Sequence, residues 1–129
     1  MNEITDHRFP GDSLNEALHI HCDVPDPTCG NASHEYTVSL HDPTGATPPD
    51  FPAQIMFQHG ARDEVGSNPG VTDAAVLAVL LDRYRGFQSG PFACRENAIV
   101  ITKLEEALMW MQKRVKDRFT RGVLGKNAQ

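Results

Sequence analysis

The longest segment without glycine or proline does most to restrict the fold of this chain. It runs for 30 residues from Phe92 to Arg121, between Pro91 and Gly122. Proline is favoured in the first turn of a helix and glycine just after its end, so the segment predicts one long helix with Pro91 near its start. At 1.5 Å per residue such a helix is about 45 Å long.

Seven residues of this predicted helix recur at alternating steps of four and three. They are Asn97, Ile101, Leu104, Leu108, Met111, Val115 and Arg118. This near-heptad spacing places them on one face, which is apolar in the middle and polar at both ends. The middle of the face is expected to pack against another helix of the chain or against a second copy.

A shorter helical segment precedes the long one. Thr72 is a good N-cap, and the segment ends near residues 86–90. Its apolar residues follow at helical spacing at Val76, Val79, Leu80 and Tyr84. Two helices joined by a few residues containing glycine and proline form an antiparallel pair, so the sequence predicts a helical hairpin over residues 72–129.

The part before the hairpin has the alternation typical of strands. Leu18–Cys22, Tyr36–Leu40 and Ala53–Gln58 alternate β-forming and polar residues, and turn-rich stretches separate them. The predicted fold is therefore α+β: a flexible N-terminal arm (1–13), a small antiparallel β-sheet with a Gly-rich loop (14–71), and the long C-terminal hairpin. Because a sheet of two or three strands is marginal alone, it should pack against helices or another subunit.

Composition favours a soluble intracellular protein. The chain has 129 residues, the size of one ordinary domain, and carries no apolar run approaching the roughly 20 residues that span a bilayer. Its start is acidic and lacks the apolar core of an export signal. Three cysteines are an odd number, so free thiols are expected in place of a disulfide framework.

The net charge of -5 is unevenly distributed. Residues 112–126 contain six cations and one acid, a charge of +5, so the other 114 residues carry -10. An acidic body with one basic helix end repels long nucleic acid but attracts a small anion locally. The pattern favours a compact anionic ligand over DNA.

The basic end of the long helix is the first candidate site. Arg114, Arg118 and Arg121 are four and three residues apart and so project from one face. Guanidinium groups suit phosphate geometry, and three of them could hold a diphosphate or a cyclic nucleotide. The alternative is a solvated helix end, where the helix dipole favours cations in any case.

The predicted hairpin turn is the second candidate site. Phe87, Gln88 and Asn97 flank it and would place an aromatic ring beside two amides, a set that can stack a base and hydrogen-bond its edge. The alternative is that Phe87 and Phe92 are only a hydrophobic plug of the turn.

The two candidates are too far apart to share one small ligand within a chain. Asn97 and Arg114 are 17 residues apart on one helix, or about 25 Å. If both serve one pocket, they come from different subunits. Antiparallel pairing of two hairpins would bring the turn of one beside the arginines of the other, and two-fold symmetry would create two equal sites. The hypothesis therefore includes a homo-oligomer.

Metal binding and catalysis have weaker support. His19, His21, Cys22 and Cys29 are residue types that bind zinc, but their spacing matches no usual zinc pattern, and strand alternation places Cys22 opposite both histidines. Cys94 is a lone thiol without an assigned base. Sequence motifs of common enzyme classes are not found, so no metal, cofactor or catalysis is expected.

Several segments also resemble a known family. FQHG from Phe57, the loop through residues 66–71, the run from Asp82 to Met111, the arginine series and RGVLG resemble the phage Thoeris anti-defence family of nucleotide sponges. The resemblance covers somewhat more than half of the chain. The hairpin is also similar to that of phage anti-CBASS sponges, which sequester cyclic oligonucleotides.

The resemblance implies a function and a site. The protein would act in the cytoplasm of the infected bacterial host, binding glycocyclic ADP-ribose without degrading it, as a homo-hexamer with a separate site for cyclic oligonucleotides in some members. The family's pocket falls on Phe87, Asn97, Arg114 and Arg118, the last two from a neighbouring subunit. Arg62 and its Gly-rich loop are a further carry-over.

Two other functions remain open at this stage. A helical hairpin without a nucleotide ligand would bind a protein through its long helix. A nucleic-acid binder would use the same basic end, although the acidic body opposes it.

Overall fold

The computed structural model describes residues 2–40, 52–58 and 69–120. The chain divides into two compact units, residues 1–70 and residues 71–129. The first contains β-strands and the second α-helices, which confirms the α+β class. None of the helices in the described ranges has the length and apolar character needed to cross a membrane.

The first unit contains an antiparallel sheet in the order β1–β2–β3–β4. Its strands are β1 (Asn2–Ile4), β2 (Leu18–Cys22), β3 (Glu35–Leu40) and β4 (Pro52–Met56), with a short helix α1 (Ser13–Glu16) after β1. Each strand pairs with the next one along the chain, so the sheet is a meander. The sequence predicted β2, β3 and β4. It missed β1, which lies in the segment predicted as a flexible arm.

Strand alternation gives the sheet an apolar face and a polar face. Cys22 is buried, and across the sheet it is level with Tyr36 and Ile55. The Tyr36 ring meets the Phe57 ring edge to face, with centroids 5.5 Å apart. His21 precedes Cys22 on the strand and therefore lies on the opposite face, level with Thr37 on β3 and Glu3 on β1.

The second unit is the predicted helical hairpin. It consists of α2 (Asp73–Gln88) and α3 (Arg95–Thr120). Thr72 caps α2 as predicted, its hydroxyl oxygen accepting the Ala75 N–H at 3.1 Å. Arg85 and Glu105 join the two helices by an exposed ion pair of 2.9 Å.

The long helix begins later than the sequence predicted. Pro91 does not start it; residues 91–94 belong to the turn, and α3 begins at Arg95. The Cys94 sulfur accepts the Asn97 N–H at 3.4 Å, in the position of an N-cap. The physical reason is that the Cys94 N–H is bound by the Gln88 side chain, which holds this residue in the turn.

The apolar repeat that predicted α2 marks its buried face only in part, because Val76 and Tyr84 are half-buried but Val79 and Leu80 are exposed. Leu81 is 3% exposed, whereas Val79 is 69% and Leu80 44% exposed. On α3 the predicted stripe is half-buried from Asn97 to Met111, and Val115 is exposed. Within the described residues, Cys22 and Leu81 are the only buried apolar residues, at 7% and 3% exposure.

Candidate functional site

The turn between α2 and α3 is closed by a side chain. The Gln88 Nε2 donates to the Cys94 carbonyl oxygen and the Gln88 Oε1 accepts the Cys94 N–H, both at 3.1 Å. One amide therefore satisfies both backbone groups of one residue. Gln88 was predicted to bind ligand, and the structure gives its amide a role in shaping the turn.

Asn97 lies beside this clamp in the first turn of α3. Its Nδ2 donates to the Phe92 carbonyl oxygen at 3.0 Å. This bond ties the side chain to the tip of the turn, so a ligand at the turn would meet an oriented amide. The structure therefore brings Gln88 and Asn97 together, as the sequence predicted.

The two phenylalanines of the turn have different surroundings. Phe87 is half-buried, and the Tyr84 ring meets it edge to face with centroids 5.6 Å apart. Phe92 is 71% exposed, so it is not part of a buried plug. An exposed ring and a supported ring at one turn provide apolar surface that a base could stack on.

Arg83 is a residue of this region that the sequence analysis missed. Its guanidinium carbon lies 4.9 Å from the centre of the Phe87 ring, in a cation–π contact. The available signal was the arginine–phenylalanine pair at i and i+4 on a predicted helix. The turn therefore carries a positive charge as well as aromatic rings and amides.

The basic end of α3 presents its arginines differently. Arg114 is exposed and Arg118 is half-buried. Lys113, one position before Arg114, pairs with Asp117 at 3.0 Å across one helical turn. Arg121 and Arg62, both predicted ligand-binding residues, lie outside the residues that the structure describes.

The predicted site residues thus form two separate groups. Phe87 and Gln88 end α2 and Asn97 lies in the first turn of α3, so these three flank the turn, whereas Arg114 and Arg118 lie in the C-terminal part of α3. Because Asn97 and Arg114 are on one continuous helix, about 25 Å of helix axis separates them. One chain does not bring them together.

The first unit has a polar cluster on the histidine face of its sheet. The Glu3 carboxylate accepts from the His19 ring at 2.9 Å and lies 3.5 Å from the Arg8 guanidinium. The hydrogen bond to His19, aided by the charge of Arg8, holds the pKa of Glu3 below its ordinary value. Cys22 lies on the opposite face, so the histidines and Cys22 form no common set.

Comparisons with known proteins concern mainly the hairpin. The family described as Acb2/Tad1, hairpin domain, matches residues 53–116, a range from β4 through most of α3 that includes both amides of the turn and Arg114. The protein called Thoeris anti-defense 1 from Bacillus phage SBSphiJ7 is 49% identical over 73 residues, which are 57% of this chain and 51% of that protein. This chain therefore spans about half the length of that relative. The family match over α2 and most of α3 and the identity to this relative confirm the resemblance, and residues 53–116 of this chain are a hairpin domain of the Acb2/Tad1 family.

Proposed function

We propose that this chain is a phage anti-defence protein that binds a cyclic nucleotide immune signal and sequesters it without cleaving it. The favoured ligand class is glycocyclic ADP-ribose, with cyclic oligonucleotides as a second class. The name of the Bacillus phage relative, Thoeris anti-defense 1, supports an action against a bacterial defence system. Such a protein acts inside the infected host cell.

The observation that carries the proposal is the distribution of chemistry along α3. At one end the turn provides the Phe87 and Phe92 rings and the Asn97 amide, groups that stack and hydrogen-bond a base. At the other end Arg114 and Arg118 provide guanidinium groups suited to phosphate. Together these ends match the two chemical halves of a nucleotide.

A complete pocket requires a second copy of the chain. The two ends are about 25 Å apart within one helix, longer than a small nucleotide can span. Antiparallel docking of two hairpins would place the turn of one copy beside the arginines of the other and repeat the pocket by symmetry. We propose a homo-oligomer for this reason, with a hexamer as the assembly that the family resemblance favours.

The apolar surface that the second unit leaves exposed supports association between copies. Large apolar side chains of the second unit are exposed: Val71, Val79, Leu80, Phe92, Ile99, Met109, Trp110 and Val115. The helix α3, with 26 residues, is also longer than α2, with 16, so part of its length cannot lie alongside α2. Exposed apolar surface of this extent is typical of an interaction site.

Calorimetric titration of the purified chain with glycocyclic ADP-ribose isomers and cyclic oligonucleotides tests ligand binding. We expect Arg114→Ala and Arg118→Ala each to weaken binding by about 10- to 100-fold, because a charge-assisted hydrogen bond contributes about 1.5–3 kcal/mol. Lys113→Ala is the matched control, since it removes a neighbouring cation that is paired with Asp117. Equal losses in all three variants would indicate a general charge effect and contradict a specific site.

Mixing of variants tests whether the pocket is shared. Asn97→Ala and Arg114→Ala should each bind nucleotide weakly alone, because every pocket then lacks a contact from one of its two halves. Co-expressed, they should recover part of the binding capacity, since some pockets then combine a native turn with a native arginine end. A mixed oligomer without any recovered binding would exclude a pocket shared in this way.

Recovery of the ligand tests sequestration. After binding, heat denaturation of the protein should release the nucleotide with its mass unchanged. Release of a cleaved product would replace the proposal with an enzymatic one.

The exposed Met109 and Trp110, 55% and 57% exposed, favour a second candidate function as a protein-binding hairpin. In that case the oligomer would form but bind no nucleotide of either class.

A further inference from the structure

Three side chains of different chemistry meet in the connection between β2 and β3. Asp26 precedes a short 3₁₀ helix (Pro27–Cys29), Cys29 ends it, and His34 comes just before β3. Their ligand atoms, an oxygen, a sulfur and a nitrogen, all lie within 4.8 Å of one another. We propose that Asp26, Cys29 and His34 bind a zinc ion.

The distances suit tetrahedral zinc. For three atoms no more than 4.8 Å apart, some point lies within about 2.8 Å of all three, and zinc bonds of about 2.0–2.3 Å require only small further movements of the side chains. The Asp26 Oδ2 and the His34 Nε2 are 3.1 Å apart. Two atoms bound to one tetrahedral zinc ion are about 3.4 Å apart, so this pair is already near the required spacing.

Backbone hydrogen bonds fix the loop that carries Asp26 and Cys29. The Asp26 carbonyl oxygen accepts the N–H groups of Cys29 and Asn31, at 3.0 and 2.9 Å, and the Asp26 N–H donates to the Ala32 carbonyl oxygen at 2.9 Å. Gly30 and Asn31 adopt left-handed φ angles of 65° and 69°, which reverse the chain tightly. The connection is therefore a preformed loop whose side chains converge.

A second layer orients the carboxylate. The Asp26 Oδ1 accepts from the Thr28 N–H at 2.9 Å and from the Thr28 hydroxyl at 2.7 Å. This leaves Oδ2 directed toward His34. Hydrogen bonds that fix a ligand's orientation in this way are a regular feature of metal sites.

The set of donors favours zinc over other divalent ions. Thiolate and imidazole are ligands for zinc, whereas magnesium and calcium prefer oxygen throughout. Two residues separate Asp26 from Cys29, as in the first ligand pair of many structural zinc sites. Three protein ligands leave the fourth position for water or another donor.

The grouping of Asp26, Cys29 and His34 is apparent from the fold but not from the spacing of these residues in the sequence. Cys29 was considered with His19, His21 and Cys22, and that set matched no zinc pattern. The segment that connects β2 to β3 instead brings Cys29 close to Asp26 and His34. The inference concerns the first unit and does not depend on nucleotide binding by the hairpin.

Cobalt titration of the full chain, after removal of metals with a chelator, tests the site. We expect one equivalent of Co²⁺ to produce the near-ultraviolet charge-transfer absorption of a thiolate bond, and Zn²⁺ to abolish it. Cys29→Ser should remove this absorption and His34→Ala should weaken Zn²⁺ binding by more than about tenfold. Cys94→Ser, a change of the exposed thiol of the hairpin, should leave the absorption unchanged.

A second variant and a second measurement distinguish loss of zinc binding from loss of folding. Asp26→Asn keeps an oxygen acceptor for Thr28 but lacks the carboxylate charge, so it should weaken Zn²⁺ binding while circular dichroism stays that of the native chain. In the native protein Zn²⁺ should slow alkylation of Cys29, located by mass spectrometry, but not that of Cys94. Absence of thiolate absorption, or its persistence in Cys29→Ser, would overturn the proposal.

Discussion

Gly70 lies directly against the backbone after β4. A Cβ atom at this position would be 2.6 Å from the Phe57 carbonyl carbon and 2.8 Å from the Gln58 nitrogen. The Gly70 N–H also donates to the Gln58 Oε1 at 3.1 Å. The glycine therefore permits close approach of its backbone to that of residues 56–58.

Gly70→Ala is expected to reduce the free energy of unfolding by about 1–3 kcal/mol, because the backbone must shift to admit the methyl group. Denaturant unfolding measures this change. Gly86→Ala is the contrasting substitution: its Cβ meets open space, and alanine in place of a helical glycine stabilises by about 0.5–1 kcal/mol. A neutral Gly70→Ala would contradict the tight approach.

Glu3 provides a prediction about pH. Its pKa is lowered chiefly by the hydrogen bond from His19, so its stabilising contribution is present above its unfolded pKa of about 4.3 and is lost as the pH falls through the lower, folded value. His19→Ala should raise the pKa of Glu3 toward the ordinary value. An NMR titration of the Glu3 carboxyl measures this shift, and His21→Ala is the comparison: His21 lowers the pKa of Glu3 only through a smaller charge effect, so its removal should raise that pKa less than His19→Ala does. A pKa of Glu3 equal to the ordinary value in the native protein would contradict the cluster.

Residue types predicted the chemistry of the turn but not the contacts within it. The sequence indicated that Phe87, Gln88 and Asn97 lie together, because they flank a turn between two helices. It did not indicate that both polar atoms of Gln88 bind Cys94, since that contact depends on the path of residues 89–93. Gln88→Ala should therefore destabilise the hairpin as well as affect ligand binding, and thermal unfolding separates the two effects.

At the scale of elements, the hairpin is held by one face of α2. Leu81→Ala should reduce the free energy of unfolding by about 2–5 kcal/mol, because Leu81 is 3% exposed and its removal leaves a cavity. Val79→Ala, two residues away and 69% exposed, should change it by no more than about 0.5 kcal/mol at the same protein concentration. Similar losses in both variants would mean that Val79 is also buried in solution and would contradict a hairpin held by the Leu81 face alone.

The elements that carry a clear local sequence signal, such as an N-cap or an alternating pattern, were predicted correctly. Thr72 marked the start of α2, and the alternation of Leu18–Cys22 matched β2 over its whole length. The strand β1 has three residues, too few for a periodic pattern, and its pairing with β2 is a long-range contact. The start of α3 was misplaced because Pro91 is an equally good residue for a turn.

At the scale of the whole molecule, the distribution of charge distinguishes a small anionic ligand from DNA. The basic end of the chain lies in a protein of net charge -5, so the attraction is local. Raising the salt concentration from about 0.05 to 0.2 M should weaken nucleotide binding by about tenfold or less, whereas a protein that contacts 6–10 phosphates of DNA loses about 10³–10⁵. Calorimetry at two salt concentrations and a gel-shift assay with duplex DNA measure both. A steep salt dependence together with a DNA shift would favour a nucleic-acid binder.

The continuity of α3 also limits how this protein can diverge. Each added residue rotates everything beyond it by about 100° and moves it by about 1.5 Å, so a single insertion between Asn97 and Arg114 would turn the arginines away from their present side. A seven-residue insertion would nearly preserve the side and lengthen the separation by about 10.5 Å. Along this helix, natural variants should therefore differ in length by close to whole numbers of turns, such as about 7 or about 11 residues, or not at all, and a change in the size of the bound molecule should come from side chains.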